Sequence, residues 1–223
     1  GNDYVGARLL FGSSFAGQQN IEFSTGIRFL AEDEDDYAGY FNSLSGAGDV
    51  DGDGLDDILI GARQHDGTST NSGKAYLFLG STIQNSSTHY LSDADISFQG
   101  APYEEAGNSV SSAGDVDGDG LGDILIGAWE NSDQGDGAGQ SYLFLGSSLS
   151  NTSSLQTSEA DYIFVAESLN NQNGNYSLLG SCVSTAGDVD GDGLDDILLS
   201  EGKSPARSSF EFHLPHPALR AMV

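Results

Sequence analysis

An acidic loop that runs directly into an apolar stretch occurs three times in this chain and constrains the fold more than any other feature. The copies read GDVDGDGLDDILIGA at 48–62, GDVDGDGLGDILIGA at 114–128 and GDVDGDGLDDILL at 187–199. Their first aspartates are 66 residues apart (49 to 115) and then 73 residues apart (115 to 188). A repeat of this length indicates an array of similar units, each of which needs neighbours to bury its apolar faces.

Each repeat unit contains four predicted strands. A run of small residues such as GNSVSSAG precedes the acidic loop, DILIGA follows it, and YLFLG and then DADISFQG or EADYIFVAES complete the unit. Apolar runs of about four to six residues that are bounded by Gly and Ser are too short for helices and are typical of strands. The pattern predicts an all-β fold, namely a β-propeller segment of four-stranded antiparallel blades.

The repeat pattern divides the chain into five predicted parts. Residues 1–35 are the C-terminal half of a blade, 36–101 and 102–174 are complete blades with an acidic loop, 175–201 is the N-terminal half of a blade with the third loop, and 202–223 is an atypical tail. Two complete blades and two halves are fewer than the roughly four to eight blades of a closed propeller. We therefore expect a segment of a longer propeller, or a chain whose final blade is lost.

The acidic loops share one register of carboxylates, at positions 1, 3, 5 and 9 counted from the first aspartate. These residues are Asp49, Asp51, Asp53 and Asp57, then Asp115, Asp117, Asp119 and Asp123, then Asp188, Asp190, Asp192 and Asp196. Glycines at positions 4 and 6 allow the backbone to curl, so alternate side chains turn toward one centre. Four carboxylates held together repel one another and therefore require a hard cation.

Calcium is the cation that fits these loops best, because it accepts about 6 to 8 oxygen ligands in a flexible geometry. We predict about three calcium ions, one per loop. The backbone carbonyl at position 7 and water are predicted to complete each shell. The position 7 residues are Leu55, Leu121 and Leu194. Magnesium ranks second, since it prefers fewer protein ligands and a strict octahedron.

Two other interpretations of the loops are weaker. An EF-hand requires glutamate at position 12 and flanking helices, whereas Ile60, Ile126 or Leu199 occupies that position and predicted strands flank the loops. An acidic turn without metal is the other alternative, and three copies in one register argue against it. Position 8 is left outside the ligand set, because it is Gly122 in the second copy.

Charge and composition limit the classes of partner. The chain has 34 acidic and 7 basic residues, a formal net charge of −27, which opposes binding to nucleic acid or to an anionic membrane without a bridging cation. It has no apolar run of about 18 residues, so no membrane insertion is predicted for this segment. The four histidines occupy no repeated position beside a Ser or Cys, and no serine has the G-x-S-x-G context. We therefore predict no catalytic residues and no enzymatic activity.

These motifs resemble the FG-GAP repeats of the integrin α-subunit propeller and its bacterial relatives. The matching segments are AGYFNSLSGAGDVDGDGLDDILIGAR and AGNSVSSAGDVDGDGLGDILIGAW, each followed by YLFLG. The second strand keeps the GA of the GAP signature, with Arg63 or Trp129 in place of its proline, whereas the FG element keeps only its glycine. In the near-identity of its copies and in its acidic composition, the chain resembles prokaryotic repeat proteins more than animal integrins.

The resemblance implies a propeller of about seven blades, with calcium in the hairpin loop between the first two strands of a blade, at the positions counted above. It also implies an extracellular or cell-surface location and, as in animal integrins, cell adhesion. We therefore expect a binding module with structural calcium and a protein or glycan ligand. The alternative is an accessory propeller of a larger secreted enzyme that acts on polysaccharide or phospholipid. A neighbouring catalytic domain would favour the alternative, whereas further repeats with a membrane anchor would favour adhesion.

Overall fold

Short strands and turns make up most of the part of the chain that the structure describes. The structure is a computed structural model, and it describes residues 4–17, 26–67, 69–134, 137–166 and 177–202. Most strand pairs are antiparallel, and the helical segments are one-turn elements. The predicted all-β fold class is therefore confirmed. The predicted tail lies outside the described residues from position 203 onward.

The strands follow one another in the order that the repeat predicts. In chain order they are β1 (Val5–Leu9), β2 (Ile27–Leu30), β3 (Leu44–Gly48), β4 (Asp57–Ala62), β5 (Lys74–Phe78), β6 (Thr88–Tyr90), β7 (Ile96–Gln99), β8 (Ser109–Gly114), β9 (Asp123–Ala128), β10 (Gln140–Phe144), β11 (Ser154–Gln156), β12 (Tyr162–Val165), β13 (Val183–Gly187) and β14 (Asp196–Leu199). Strands β3, β4, β5 and β7 form one antiparallel blade, and β8, β9, β10 and β12 form the next. The pairs β1–β2 and β13–β14 each form an antiparallel hairpin or half-sheet.

Two three-residue strands, β6 and β11, are an addition to the predicted four strands per unit. Strand β6 pairs in parallel with β2, and β11 pairs in parallel with β7. Each thus leaves its own unit and covers the outer edge of the fourth strand of the preceding unit. An uncovered edge strand exposes unpaired backbone groups, so the two short strands continue the hydrogen bonding from one unit to the next.

Short helical turns connect the strands. They are the α-helical turn α1 (Gly80–Ile83) and the 3-10 turns Gly12–Phe15, Glu34–Asp36, Leu91–Asp93, Gly146–Leu149 and Thr157–Glu159. Among the described residues, no helix is both long and apolar enough to cross a bilayer.

The hydrophobic core lies between successive sheets. Phe98 of β7 and Phe144 of β10 meet with ring centroids 4.7 Å apart, which joins the two complete blades. Phe29 of β2 and Phe78 of β5 meet at 5.0 Å and join the first half-sheet to the first complete blade. All four side chains are buried. Burial of the sheet faces therefore depends on the neighbouring units, as a repeat architecture requires.

Neighbouring blades come into backbone contact at the glycine near the end of the second strand. A Cβ added at Gly61 would lie 2.0 Å from the carbonyl oxygen of Gly107 in the next unit, and one added at Gly127 would lie 2.1 Å from the carbonyl oxygen of Gly180. No side chain fits at such distances. The glycine of each GA pair is therefore required because two backbones pass each other there.

Replacing Gly61 by Ala is expected to destabilise the chain by roughly 2–4 kcal/mol, because the blades must separate to admit the methyl group. Urea unfolding measures the change in the free energy of unfolding. The matched control is Gly46→Ala in β3, where an added Cβ meets no atom of the described residues within 4 Å. Equal effects of the two substitutions would contradict the proposed contact between blades.

Candidate metal centres

The three acidic loops occupy the same place in three hairpins. Loop one (49–57) joins β3 to β4, loop two (115–123) joins β8 to β9, and loop three (188–196) joins β13 to β14. In every hairpin the strand register shifts by one residue just before the loop. Such a β-bulge bends the strand and increases its twist, so the same local irregularity precedes each loop.

The position 1 aspartate organises the loop backbone. The two carboxylate oxygens of Asp49 accept hydrogen bonds from the backbone N–H groups of Gly52 (2.8 Å) and Gly54 (2.9 Å). These glycines have φ angles of 76° and 89°, in the left-handed region that glycine adopts without strain. Asp115 and Asp188 make the same two bonds in their loops. The glycines predicted to curl the loop therefore do so around the first carboxylate.

The aspartates at positions 3 and 5 each hold the residue two positions ahead. In loop one, Asp51 accepts from the N–H of Asp53 (3.1 Å) and Asp53 accepts from the N–H of Leu55 (2.8 Å). Loops two and three repeat both bonds. An ionised carboxylate has about four acceptor sites, so these bonds leave capacity for a cation.

The aspartate at position 9 anchors the loop to the blade. Asp57 is completely buried, and its two oxygens accept from the N–H groups of Val50 (2.9 Å) and of Gly80, which follows the third strand (2.8 Å). Asp123 is equally buried and makes both equivalent bonds. Asp196 makes the first of them. Position 9 thus connects the start of the loop, the second strand and, in loops one and two, the turn after the third strand.

The surroundings of the position 9 aspartates favour a compensating positive charge. Burial raises the pKa of Asp57 to about 6, and the negative charges of Asp51 and Asp49 add to this effect, although two backbone hydrogen bonds oppose it. Burial also raises the pKa of Asp123. A nearby cation favours the ionised form of a carboxyl group. The donor set of clustered carboxylate oxygens therefore fits a hard divalent cation such as calcium.

Each loop brings three carboxylates together, so that one oxygen from each lies within 4.8 Å of the others. The clusters are Asp49, Asp51 and Asp53 in loop one, Asp115, Asp117 and Asp123 in loop two, and Asp188, Asp190 and Asp196 in loop three. Every predicted carboxylate position thus belongs to at least one cluster, while Asp57, Asp119 and Asp192 lie outside the cluster of their own loop. The complete ligand set, including the position 7 carbonyls, stays a prediction.

Position 8 has a structural role that the sequence analysis missed. The N–H of Gly122 donates to the carbonyl oxygen of Asp49 (2.7 Å), and the N–H of Asp195 donates to the carbonyl oxygen of Asp115 (3.0 Å). Each bond joins position 8 of one loop to position 1 of the loop in the preceding unit. The donor is a backbone N–H, which Asp and Gly both have, so the residue type at position 8 does not predict this contact.

The opposite end of the first complete blade carries exposed aromatic side chains. Tyr40 and Phe41 precede β3 and are 55% and 82% exposed. The ring centroids of Tyr37 and Tyr40 are 5.2 Å apart, and the Arg63 guanidinium lies 5.6 Å from the Tyr37 ring centroid. Arg63 also forms an ion pair with Glu105 of the next unit at 3.0 Å. We call Tyr37, Tyr40, Phe41 and Arg63 the aromatic edge.

The aromatic edge was also missed, although the sequence contains a signal for it. The segment GYFNS at 39–43 corresponds to GNS at 107–109, so Tyr40 and Phe41 are additional residues relative to the next unit. Since β3 and β4 form a hairpin through loop one, residues before β3 and after β4 lie at the end of the blade opposite the acidic loop.

Comparison with known proteins identifies the repeats. The FG-GAP repeat profile matches residues 41–78 and 106–144. The chain is 38% identical over 96 residues to integrin alpha-5 of Xenopus laevis, covering 41% of this chain and 9% of that protein. It is 26% identical over 166 residues to integrin alpha-4 of Xenopus laevis, covering 72% of this chain and 14% of that protein. It is 35% identical over 119 residues to integrin alpha-PS2 of Drosophila melanogaster, covering 48% of this chain and 8% of that protein. The chain therefore spans a small part of the length of these curated relatives.

Proposed function

The chain is an FG-GAP repeat protein, similar to integrin α subunits, and we propose that it is a non-enzymatic, calcium-binding propeller module that binds an extracellular partner. The observation that carries the proposal is the threefold convergence of carboxylates in the loops that join the first and second strands. The similarity of the chain to three integrin α subunits supports a propeller module of the type found in adhesion proteins.

Calcium has a structural role in this proposal. Asp57 and Asp123 at position 9 are buried, and each accepts hydrogen bonds from a backbone N–H at loop position 2 and from one in the turn after the third strand. A cation that binds their carboxylates would relieve the repulsion among the loop aspartates and hold the hairpin to the turn after the third strand. Extracellular calcium modules have Kd values of roughly 10⁻⁴ to 10⁻³ M. An extracellular or cell-surface location, where calcium is abundant, is therefore part of the proposal.

The partner is proposed to bind at the aromatic edge rather than at the acidic loops. The loop carboxylates are engaged by backbone N–H groups of their own loops. In contrast, Tyr40 and Phe41 are exposed at the other end of the blade, beside the Arg63 guanidinium. Exposed aromatic side chains provide a large apolar contact area at low cost in conformational entropy. Protein and glycan surfaces are both recognised by such side chains, and the partner is proposed to be one of these.

Replacing Tyr40 and Phe41 by Ser is expected to reduce partner binding at least tenfold, because interface aromatic residues contribute about 2 kcal/mol or more at binding hot spots. The probes are a printed glycan array and a panel of purified secreted glycoproteins, presented to the labelled chain in calcium. Phe15→Ser is the matched control, since Phe15 is 46% exposed but lies in the 3-10 turn Gly12–Phe15 that follows β1. Equal loss in both variants, or no binding of the parent chain to any probe, would contradict the proposal.

A further inference from the structure

Neighbouring acidic loops are connected directly through the backbone. Position 8 of loop two donates its N–H to the position 1 carbonyl of loop one, and position 8 of loop three does the same to loop two. The leucines at position 7 reinforce this contact. A Cβ added at Gly52 would lie 3.0 Å from the Leu121 side chain, and one added at Gly118 would lie 3.0 Å from the Leu194 side chain. Loops two and three therefore each pack against the loop of the preceding unit.

The contact between loops two and three contains a second hydrogen bond, made by the Asp195 side chain. Its Oδ2 accepts from the N–H of Asp115 at 2.9 Å, while the Asp195 N–H donates to the Asp115 carbonyl at 3.0 Å. Asp195 thus holds both backbone groups of the position 1 aspartate of loop two. Gly122, the equivalent residue in loop two, has no side chain with which to hold Asp49 in this way.

The local packing accounts for this difference at position 8. The Asp195 carboxylate lies against Gly114, where an added Cβ would overlap its Oδ2 at 2.0 Å. At Gly122, an added Cβ would lie 2.8 Å from the carbonyl oxygen of Ala47. A side chain at position 8 is therefore accommodated between loops two and three but crowded between loops one and two.

We propose that Asp195 is a positioning residue for the calcium site of loop two, and that it couples calcium binding in loop three to calcium binding in loop two. The inference rests on the proposed function, because it concerns the same sites. The Asp115 side chain is oriented by the N–H groups of Gly118 and Gly120 in its own loop. Because Asp195 of loop three also fixes the Asp115 backbone, the carboxylate is already positioned in the calcium-free chain. Calcium in loop three orders the segment that carries Asp195 and thereby reduces the ordering that loop two requires.

The coupling differs between the two pairs of loops. Two hydrogen bonds join Asp195 to Asp115, whereas the Gly122 N–H joins loop two to loop one through the Asp49 carbonyl. We therefore expect stronger cooperativity between loops two and three than between loops one and two.

The test measures calcium affinity by calorimetric titration of the full chain with loop one inactivated by Asp51→Asn and Asp53→Asn. In this background, loops two and three are expected to bind calcium with positive cooperativity. Asp195→Ala keeps the backbone N–H bond to the Asp115 carbonyl, so it is expected to reduce the cooperativity to the weaker level expected between loops one and two and to weaken binding in loop two about fivefold. Asp195→Asn removes the same charge but keeps an oxygen that accepts from the Asp115 N–H, and it is expected to preserve most of the cooperativity.

Two further measurements separate positioning from charge and from misfolding. Asp56→Ala, made in the chain with loop one intact, removes a carboxylate at position 8 of loop one and is expected to leave the affinity of loop two unchanged. Hydrogen exchange in EDTA is expected to be faster at the Asp115 amide in Asp195→Ala than in Asp195→Asn. Equal weakening by Ala and Asn at position 195, or no effect of Ala, would overturn the inference while the calcium sites stand. Absence of calcium binding in the parent chain would overturn the proposed function together with it.

Discussion

Removal of calcium is expected to lower the melting temperature of the chain by about 10 °C or more. A ligand that binds only the folded state stabilises it by RT ln(1 + [L]/Kd). With Kd values of roughly 10⁻⁴ to 10⁻³ M, about 10 mM calcium contributes about 1.4–2.7 kcal/mol per loop, or roughly 4–8 kcal/mol for three loops. For a chain of this size, each kcal/mol changes the melting temperature by about 2–4 °C. Scanning calorimetry in calcium and in EDTA measures the difference.

The control for ionic effects is sodium chloride at the same ionic strength, together with an equal concentration of magnesium. General screening of the −27 net charge would stabilise the chain in all three salts, whereas calcium sites give a larger shift in calcium. Equal melting temperatures in calcium, magnesium and sodium would show that calcium binding at the loops does not stabilise the folded state.

Replacing Asp123 by Ala is expected to destabilise the calcium-free chain by about 3–5 kcal/mol. The substitution leaves the N–H groups of Val116 and Gly146 without their acceptor, and hydrogen bonds to a charged acceptor contribute about 1.5–3 kcal/mol each. Burial raises the pKa of Asp123 because it disfavours the charged carboxylate. Removing that buried charge therefore offsets part of the loss. Urea unfolding in EDTA measures the free energy of unfolding.

The matched variant is Asp119→Ala at position 5 of the same loop. Asp119 is exposed, and its carboxylate accepts from the N–H of Leu121, so the calcium-free chain is expected to lose at most about 1 kcal/mol. In calcium, both variants are expected to lose the additional stabilisation that loop two provides. If Asp119→Ala were as destabilising as Asp123→Ala in EDTA, position 9 would not be the anchor of the loop.

The repeating part of the fold could be predicted from the sequence because each unit repeats its pattern. Runs such as DILIGA and YLFLG are apolar, short and bounded by glycine, and they form β4, β5, β9 and β10. Strands β6 and β11 could not be predicted in this way, because THY and SLQ are three-residue segments with little apolar character. They form because the outer strand of the preceding unit offers unpaired backbone groups.

The candidate sites show the same division between local pattern and contacts among units. The spacing of the aspartates and glycines within each loop predicts which side chains turn inward, since both features are local. The contact of Asp195 with Asp115 joins residues that are 80 positions apart, and the approach of Gly61 to Gly107 is likewise a contact between units. Such contacts depend on how successive blades pack, which hydrophobic periodicity within one unit does not specify.

The number of calcium ions bound per chain tests the central claim most directly. Equilibrium dialysis against calcium, with the metal content measured by atomic emission, is expected to give about three ions per chain at saturation, one for each carboxylate cluster. A variant with Asp115→Asn and Asp117→Asn is expected to bind about one ion fewer. Saturation without specifically bound calcium, or the same number of ions in the parent chain and in the loop two variant, would contradict the account.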